Sequence, residues 1–182
     1  MTTTWHIALL RGINVGRAKR VAMAELRALI EGLGFGDVRT LLNSGNVVFS
    51  ASAATTGNAA SRIEESLATK LGVSARVTLL TAAELAGIVV ENPMLGIADD
   101  PSRLLVAVLS DPTDRAKLEP LLEQDWAPDA LALGRRVAYV WCSGGILESR
   151  LAQAVGRALG NAATTRNWAT ILKLHALMYN KT

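Results

Sequence analysis

Cysteine is nearly absent from the chain, and its absence excludes two kinds of cross-link. Cys142 is the only cysteine among the 182 residues. Neither an internal disulfide nor a four-cysteine zinc site can therefore form. A chain without disulfides suits a reducing compartment, so we expect a cytoplasmic location. Cys142 ends an apolar stretch, which predicts an inert buried thiol rather than a nucleophile.

Long apolar runs, histidines and aromatic residues are also scarce. No apolar run approaches the ~18 residues that a membrane span needs, and the start lacks the pattern of a signal peptide. The two histidines, His6 and His175, have no neighbouring ligand-type residues, so we expect neither a metal nor another cofactor. Only 8 residues are aromatic, which argues against an RNA-binding sheet that stacks bases on exposed rings.

Charge is unevenly distributed along the chain, although the formal net charge is only +3. Residues 1–83 carry a net +4, residues 84–129 a net −7 and residues 130–182 a net +6. The densest basic run, Arg11–Arg20, holds four cations and no acid. Two basic ends around an acidic middle predict either a dipolar surface that attracts an anionic partner or an ordinary solvated surface.

The first half of the chain predicts alternating strands and helices. Apolar residues follow strand or helix spacing, and Gly, Asn and Pro mark the breaks between segments. The expected elements are a strand over 5–10, a helix from Val21 that Gly34 ends, strands over 38–42 and 47–49, a loop over 51–57, a helix through Ile63 and Leu71, a strand over 75–80, and a helix opened by a capping box at Thr81 and Glu84.

The second half repeats this order. The expected elements are a strand over 104–109, a helix from Asp111 and Pro112 to Leu122, hairpin strands over 130–133 and 137–142, a helix opened by Gly144 and Gly145 that includes Leu147, an edge strand over 162–166, and a last helix from Trp168 whose buried face includes Leu172.

The repeated β-α-β-β-α-β order predicts an α+β protein built from two ferredoxin-like lobes. Each lobe would have a four-stranded antiparallel sheet, helices on one face of that sheet and an extra helix after it. The predicted lobes are residues 1–92 and 102–182. The linker between them, Glu91–Pro101, contains two prolines.

Four segments resemble a widespread bacterial family, domain of unknown function 1697. They lie in order across nearly the whole chain: Leu9–Gly16; Ser44–Phe49; Gly145 and Ile146 with Ser149–Leu151; and Thr164–Trp168 with Thr170, Lys173 and Leu174. The family commonly has a second glycine after Gly16, where this chain has Arg17. The resemblance implies a two-lobed ferredoxin-like fold and no particular activity.

The segment after the first strand has the composition of an anion-binding loop. Gly12 and Gly16 permit backbone N–H groups to converge on one anion, and Arg11 and Arg17 offer forked donors for phosphate or carboxylate. Asn14 adds both a donor and an acceptor. The Walker spacing of a P-loop is absent. The alternative is that the glycines only turn the chain and the arginines are solvated.

Two other segments are candidates for the same site, and a third is a second, weaker nest. We expect the turn Ser44, Gly45 and Asn46 to lie beside Gly12, because the first and third strands of a split βαβ lobe are central neighbours. The start of the last helix offers N–H groups with Arg166, Asn167 and Trp168, although Trp168 also suits core packing. Gly144 and Gly145, with Arg150 beyond them, form a possible nest or an ordinary tight turn.

These features predict a binding module for a phosphate-bearing ligand, either a nucleotide or nucleic acid, in a cleft between two lobes. The alternatives are an enzyme that acts on a small anionic substrate and a protein–protein interaction scaffold. An enzyme is less favoured, because no nucleophile or general base has a recognisable partner. We expect Arg166 to be exposed, so that Arg166→Ala weakens anion binding by about 1.5–3 kcal/mol with less effect on folding.

Overall fold

Between residues 2 and 90 the chain forms four strands and four α-helices. The structure is a computed structural model that describes residues 2–179. The elements of this part are β1 (Thr3–Arg11), α1 (Met23–Gly32), β2 (Gly36–Leu41), β3 (Asn46–Ser52), α2 (Ala53–Thr56), α3 (Ala59–Ser66), β4 (Arg76–Thr81) and α4 (Ala82–Val90). A π-helical turn, Leu67–Leu71, follows α3 and ends at Gly72, whose φ of 63° is left-handed.

Between residues 91 and 179 the chain forms four further strands and three α-helices. They are β5 (Leu104–Leu109), α5 (Glu119–Leu122), β6 (Ala130–Leu133), β7 (Val137–Trp141), α6 (Arg150–Leu159), β8 (Ala163–Asn167) and α7 (Trp168–Tyr179). Two 3₁₀ segments, Pro112–Lys117 and Gly160–Ala162, precede α5 and β8 respectively. No helix within residues 2–179 is long and apolar enough to cross a membrane.

The strands form two four-stranded antiparallel sheets. The strand orders are β2-β3-β1-β4 and β6-β7-β5-β8. In the first sheet, Ile7 of β1 lies between Val48 of β3 and Leu80 of β4. In the second, Val106 of β5 lies between Tyr139 of β7 and Arg166 of β8. The predicted α+β class with two antiparallel sheets is therefore confirmed.

The described residues divide into two compact units. Residues 2–85 and 176–179 form the N-terminal unit, and residues 86–175 form the C-terminal unit. The divisions fall inside α4 and inside α7. The lobe boundaries expected from the linker composition, 1–92 and 102–182, stay a prediction.

Each unit has its own hydrophobic core on one face of its sheet. In the N-terminal unit, Leu26 of α1 and Ile63 of α3 pack with Leu10 and Phe49 of the sheet. In the C-terminal unit, one face of α6 packs on β5 and β7 through Leu151, Val155 and Leu159. Burying one such aliphatic side chain contributes about 1.5–3 kcal/mol. All five residues of β7 are buried, so both of its faces are covered.

Local signals in the sequence explain where several helices begin and end. Gly34 follows α1 with φ 89°, a conformation that glycine adopts without steric cost. The capping box before α4 is present, because Thr81 N donates to Glu84 Oε2 at 2.8 Å and Glu84 N donates to Thr81 Oγ1 at 3.1 Å. Asp111 caps the segment that follows it by accepting a 2.9 Å bond from Thr113 N.

Two local expectations for the loops were wrong. Residues 51–57 are not a simple loop, since β3 continues to Ser52 and Thr55 Oγ1 then donates to Ser52 O at 2.9 Å across the single turn of α2. The helix expected from Gly144 begins only at Arg150. Gly145 has φ 108°, which no helix admits, and Ser149 is the actual N-cap.

Three further expectations also need correction. Leu147 precedes α6 and is 88% exposed, so it does not belong to the apolar face of that helix. The helix expected from Asp111 to Leu122 is a 3₁₀ segment followed by the short α5. In α7, Leu172 is exposed and Leu174 is buried, because the buried stripe runs through Trp168, Ile171 and Leu174.

Candidate functional site

The loop after β1 alternates between left-handed and ordinary backbone. Gly12, Asn14 and Gly16 have φ values of 89°, 53° and 53°. Alternation of left-handed and ordinary residues is the backbone pattern of anion-binding nests, in which successive N–H groups point to one side of the chain. The loop, residues 11–20, is called the β1 loop below.

Asn14 holds the β1 loop in this conformation. Its Nδ2 donates to Val21 O at 3.0 Å and to Asn43 O at 2.8 Å, and its Oδ1 accepts from Val21 N at 2.8 Å. The backbone oxygen of Asn14 accepts a 2.8 Å bond from Arg20 Nη1. The side chain predicted to contact a ligand therefore makes three bonds within the chain and acts as a positioning residue.

The turn at residues 43–46 lies against the β1 loop, as the predicted strand neighbours required. Leu10 N donates to Gly45 O at 2.8 Å. A Cβ added at Gly45, whose φ is 85°, would lie 2.7 Å from Ile13 Cδ1 and 2.8 Å from Leu10 Cβ. Only glycine fits there, for steric and conformational reasons together.

The side chains of this turn stabilise the turn itself. Asn46 is fully buried, and its Nδ2 donates to Leu41 O at 2.8 Å and to Ser44 Oγ at 2.9 Å. These bonds fix the start of β3 beside the end of β1. Ser44 remains exposed at the tip of the turn.

Cations gather where the β1 loop meets the start of β4. Arg11 lies directly opposite Arg76 in the β1–β4 register. Lys19 Nζ donates to Leu71 O at 2.7 Å, so the C-terminal end of the β1 loop contacts Leu71, which follows Lys70 in the chain. Segments 11–20 and 66–83 contain no acid. We call their six cations the basic surface: Arg11, Arg17, Lys19, Arg20, Lys70 and Arg76.

Two exposed apolar side chains lie beside the basic surface. Val15 in the β1 loop is 59% exposed and Leu42 before the turn is 47% exposed. Asn14, which precedes Val15, donates at 2.8 Å to the backbone oxygen of Asn43, which follows Leu42. Leu42 has φ 60°, a left-handed conformation that is unfavourable for a bulky residue. Residues in such strained conformations cluster at functional sites.

The start of α7 is built differently from the β1 loop. Asn167 Oδ1 accepts bonds of 2.9 Å from both the backbone N and the Oγ1 of Thr170. Ala169 N donates to Pro101 O at 3.3 Å. These N–H groups are already bonded within the chain, and Trp168 is buried at 5% exposure. Asn167 and Trp168 therefore serve as a helix cap and a packing residue.

Arg166 is half-buried, so the expectation that it is exposed was wrong. It lies in the edge strand β8, where its Nη1 donates to Thr165 O at 3.0 Å. Desolvation lowers the pKa of Arg166 to about 10. The predicted convergence of Arg166 with the β1 loop stays a prediction.

A polar network in the C-terminal unit was not found by sequence reasoning. Asp129 accepts bonds from Ser143 N at 2.9 Å, from Ser143 Oγ at 2.8 Å and from Ser149 Oγ at 2.6 Å. Burial opposes ionisation of Asp129, but the bonds from Ser149 and Ser143 together lower its pKa. Because Asp129 lies 14 and 20 residues from its partners, no local motif in the sequence reveals it.

The network borders a cavity of 260 Å³ whose lining includes Asp125, Asp129, Glu148 and Arg150. Asp129 is satisfied by its serine donors and Ser149 is occupied as the cap of α6. Among residues 2–179, no group of three or more His, Cys, Asp or Glu side chains is placed to hold a metal ion. We assign the network a structural role in fixing the loop before α6.

The isolated histidine and cysteine lie in buried surroundings. His6 is 8% exposed, and its Nε2 shares a 2.9 Å hydrogen bond with Thr4 Oγ1. Desolvation lowers the pKa of His6, and the charge of Glu84 opposes the shift. Cys142 is fully buried, and desolvation raises its pKa, as expected for an inert thiol.

Residues 1–139 match the model of the family described as "Protein of unknown function (DUF1697)". The chain belongs to the DUF1697 family. The DUF1697 match contains the whole β1 loop and the turn at residues 43–46, and it ends within β7. The predicted family membership is therefore confirmed.

A solved structure resembles this DUF1697 chain over nearly its full length. It is a conserved bacterial protein from Streptococcus pneumoniae, 22% identical, with a TM-score of 0.77. The match covers 97% of this chain and 99% of the other. At this level of identity the likeness establishes a shared fold and nothing about activity. No curated protein matches the chain.

Proposed function

We propose that the protein is a binding module for a phosphate-bearing ligand, and that the basic surface of the N-terminal unit is its contact. One observation carries the proposal: the β1 loop, with its alternating left-handed backbone, supplies four cations, and the adjoining segment 66–83 supplies two more. Neither segment contains an acid, and Glu64, which reaches β4 from outside them, accepts a 2.8 Å bond from Val77 N. Arginine and lysine side chains, together with backbone N–H groups, are the usual donors to phosphate.

The pairing of Arg11 with Arg76 adds support from energetics. Like charges directly opposite each other on neighbouring antiparallel strands destabilise the sheet. A phosphate placed over the pair would remove this repulsion. Two cations therefore face each other where the β1 loop begins, a position at which an anionic ligand would gain contacts from both.

The form of the basic surface favours an extended phosphate ligand. Its cations are spread over the β1 loop, the turn before β4 and β4 itself, which suits the repeated phosphates of a nucleic-acid strand. The exposed side chains of Val15 and Leu42 provide apolar contacts for a base or sugar. A nucleotide carries the same phosphate, sugar and base groups, and the binding experiment below distinguishes a nucleotide from a nucleic-acid strand.

The test is fluorescence-anisotropy binding of labelled single-stranded RNA, duplex DNA and ATP to wild type and Arg17→Ala. The Arg17 side chain is exposed, so its removal should not disturb the fold. We expect nucleic-acid affinity to fall about tenfold or more, the scale of one charged hydrogen bond. The slope of log affinity against log salt concentration should also fall by about one, which corresponds to the loss of one phosphate contact.

Arg27→Ala is the matched control. It removes one exposed arginine from α1 of the same unit, where Arg27 pairs with Glu31 at 2.8 Å. Equal losses of nucleic-acid affinity in Arg17→Ala and Arg27→Ala would show that only the net charge matters. That result would contradict a defined binding surface. Binding of ATP alone, with affinity lost in Arg17→Ala, would assign the surface to a nucleotide, and absence of binding to all three ligands would refute the proposal.

We also infer that each unit is a ferredoxin-like lobe, and that the protein acts in the cytoplasm. Support for the first inference is that β1 and β3, and β5 and β7, are central neighbours flanked by the remaining strands. Support for the second is the single buried cysteine, which suits a reducing compartment.

A further inference from the structure

We propose that a groove along α6 in the C-terminal unit binds a small anion that carries an aromatic ring, of the nucleotide class. The groove has a volume of 560 Å³ and lies between residues 121–126 and α6. We call it the Trp126 groove. The side chains that carry the argument are Gln124, Trp126, Arg150, Gln153 and Arg157. This proposal is independent of the one for the basic surface.

Two arginines give the Trp126 groove its charge. Arg150 and Arg157 lie on one side of α6, seven residues apart, which is about 10 Å along the helix axis. Both are exposed, and within residues 2–179 neither forms an ion pair, although the preceding segment 84–129 is rich in acids. No carboxylate lines the groove. The arrangement selects for an anion.

The indole of Trp126 is fixed before any ligand arrives. Its Nε1 donates to Leu121 O at 2.7 Å, and the ring is half-buried as a wall of the groove. The bond satisfies the polar atom of the ring and sets its orientation, so little order is lost when another ring packs against it. A bare phosphate would make no use of this wall.

The polar edges of a heteroaromatic ring match the amides of the groove. Gln153 Nε2 donates to Leu147 O at 3.4 Å, which leaves its Oε1 as an acceptor. Gln124 lies exposed on the opposite side. Amide side chains offer both donors and acceptors, as the edges of bases require. The volume falls within the range of about 300–1,000 Å³ that is usual for small-molecule sites.

The neighbouring cavity explains why the anion belongs in the Trp126 groove. Trp126 and Arg150 line both spaces, but the 260 Å³ cavity also contains the carboxylates of Asp125, Asp129 and Glu148. These repel an anion from that side. Arg150 therefore stands between an acidic cavity and a groove whose other charged side chain is Arg157.

The experiment measures ATP binding by calorimetry, with pyrophosphate and adenosine as separate probes. We expect ATP to bind wild type more tightly than either fragment. Arg157→Ala should weaken ATP binding about tenfold or more, the effect of losing one charged hydrogen bond. Trp126→Ala should weaken ATP binding but leave pyrophosphate binding unchanged. Arg135→Ala, which removes an exposed arginine from the β6–β7 turn, is the matched control and should bind as wild type.

Four results would overturn the proposal: no ATP binding, wild-type affinity in both Arg157→Ala and Arg150→Ala, equal affinity for pyrophosphate and ATP, or an equal loss in Arg135→Ala. Circular dichroism confirms that each variant is folded. A loss of ATP binding in Arg17→Ala with none in Arg157→Ala would place the nucleotide on the basic surface. That result rejects the Trp126 groove while leaving the proposed function intact.

Discussion

The β1 loop and the start of α7 contain similar residues, yet they use them in opposite ways. Both combine arginine with asparagine near a chain reversal or helix start. In the β1 loop, Asn14 orders the backbone and leaves Arg17 exposed. At α7, Asn167 bonds the helix N–H groups and Arg166 is half-buried. A residue type indicates ligand binding only where the chain has not already satisfied its donors.

The largest effect should come from Gly45, which lets the turn approach the β1 loop. Gly45→Ala introduces a Cβ 2.7 Å from Ile13 Cδ1 at a φ of 85°. We expect a loss of about 2–5 kcal/mol in the free energy of unfolding, measured by urea denaturation, from strain and overpacking together. Gly57→Ala is the control: Gly57 has φ −53° and no atom within 4 Å of an added Cβ, so stability should change by about 0.5 kcal/mol or less.

Asn14→Ala should cost about 2 kcal/mol of unfolding free energy, because three hydrogen bonds of the β1 loop are lost. Asn14→Gly separates the two contributions, since glycine tolerates the φ of 53° but makes none of the bonds. Asn43→Ala is the control, because Asn43 takes part through its backbone oxygen. Wild-type stability in both Asn14 variants would show that the loop does not depend on this side chain.

Arg166 and Arg17 give the sharpest contrast, as one is half-buried and the other exposed. We expect Arg166→Ala to lower the free energy of unfolding by about 1–2 kcal/mol, because it removes buried aliphatic packing and a hydrogen bond. Arg17→Ala should change stability by about 0.5 kcal/mol or less. The comparison fails if the two variants have equal stabilities and equal affinities for RNA.

A smaller loss of stability than that of Arg166→Ala should come from Asn167→Ala. Losing the N-cap of α7 costs about 1 kcal/mol in thermal or urea denaturation. Asn167→Asp keeps an acceptor at the same position and should remain close to wild type. If Asn167→Ala weakens anion binding without altering stability, then Asn167 contacts a ligand and the assignment as a cap is incorrect.

Sequence reasoning was most accurate where a signal is local. The bounds of β5, Leu104–Leu109, were predicted correctly because charged Arg103 and polar Ser110 flank an apolar run. The Thr81–Glu84 capping box was likewise visible, since its partners are three residues apart. The antiparallel sheets followed from the repeated order of these elements.

The interpretation of the candidate site was limited by contacts that are distant in sequence. Asn14 bonds backbone atoms 7 and 29 residues away, and a backbone acceptor leaves no trace in residue identity. Asp129 meets its serines across comparable separations. The burial of Arg166 depends on tertiary packing, which local composition does not encode. The start of α6 was misplaced because Gly145 adopts φ 108° and Ser149 caps the helix.

The lone thiol of Cys142 provides a reporter that needs no engineering. It lies fully buried in the core of the C-terminal unit, where desolvation also disfavours the reactive thiolate. A thiol reagent can modify it only when that core opens, so the labelling rate follows the opening of this unit and not fluctuations in the β1 loop. Timed labelling with mass detection would therefore measure how often the C-terminal unit opens under native conditions.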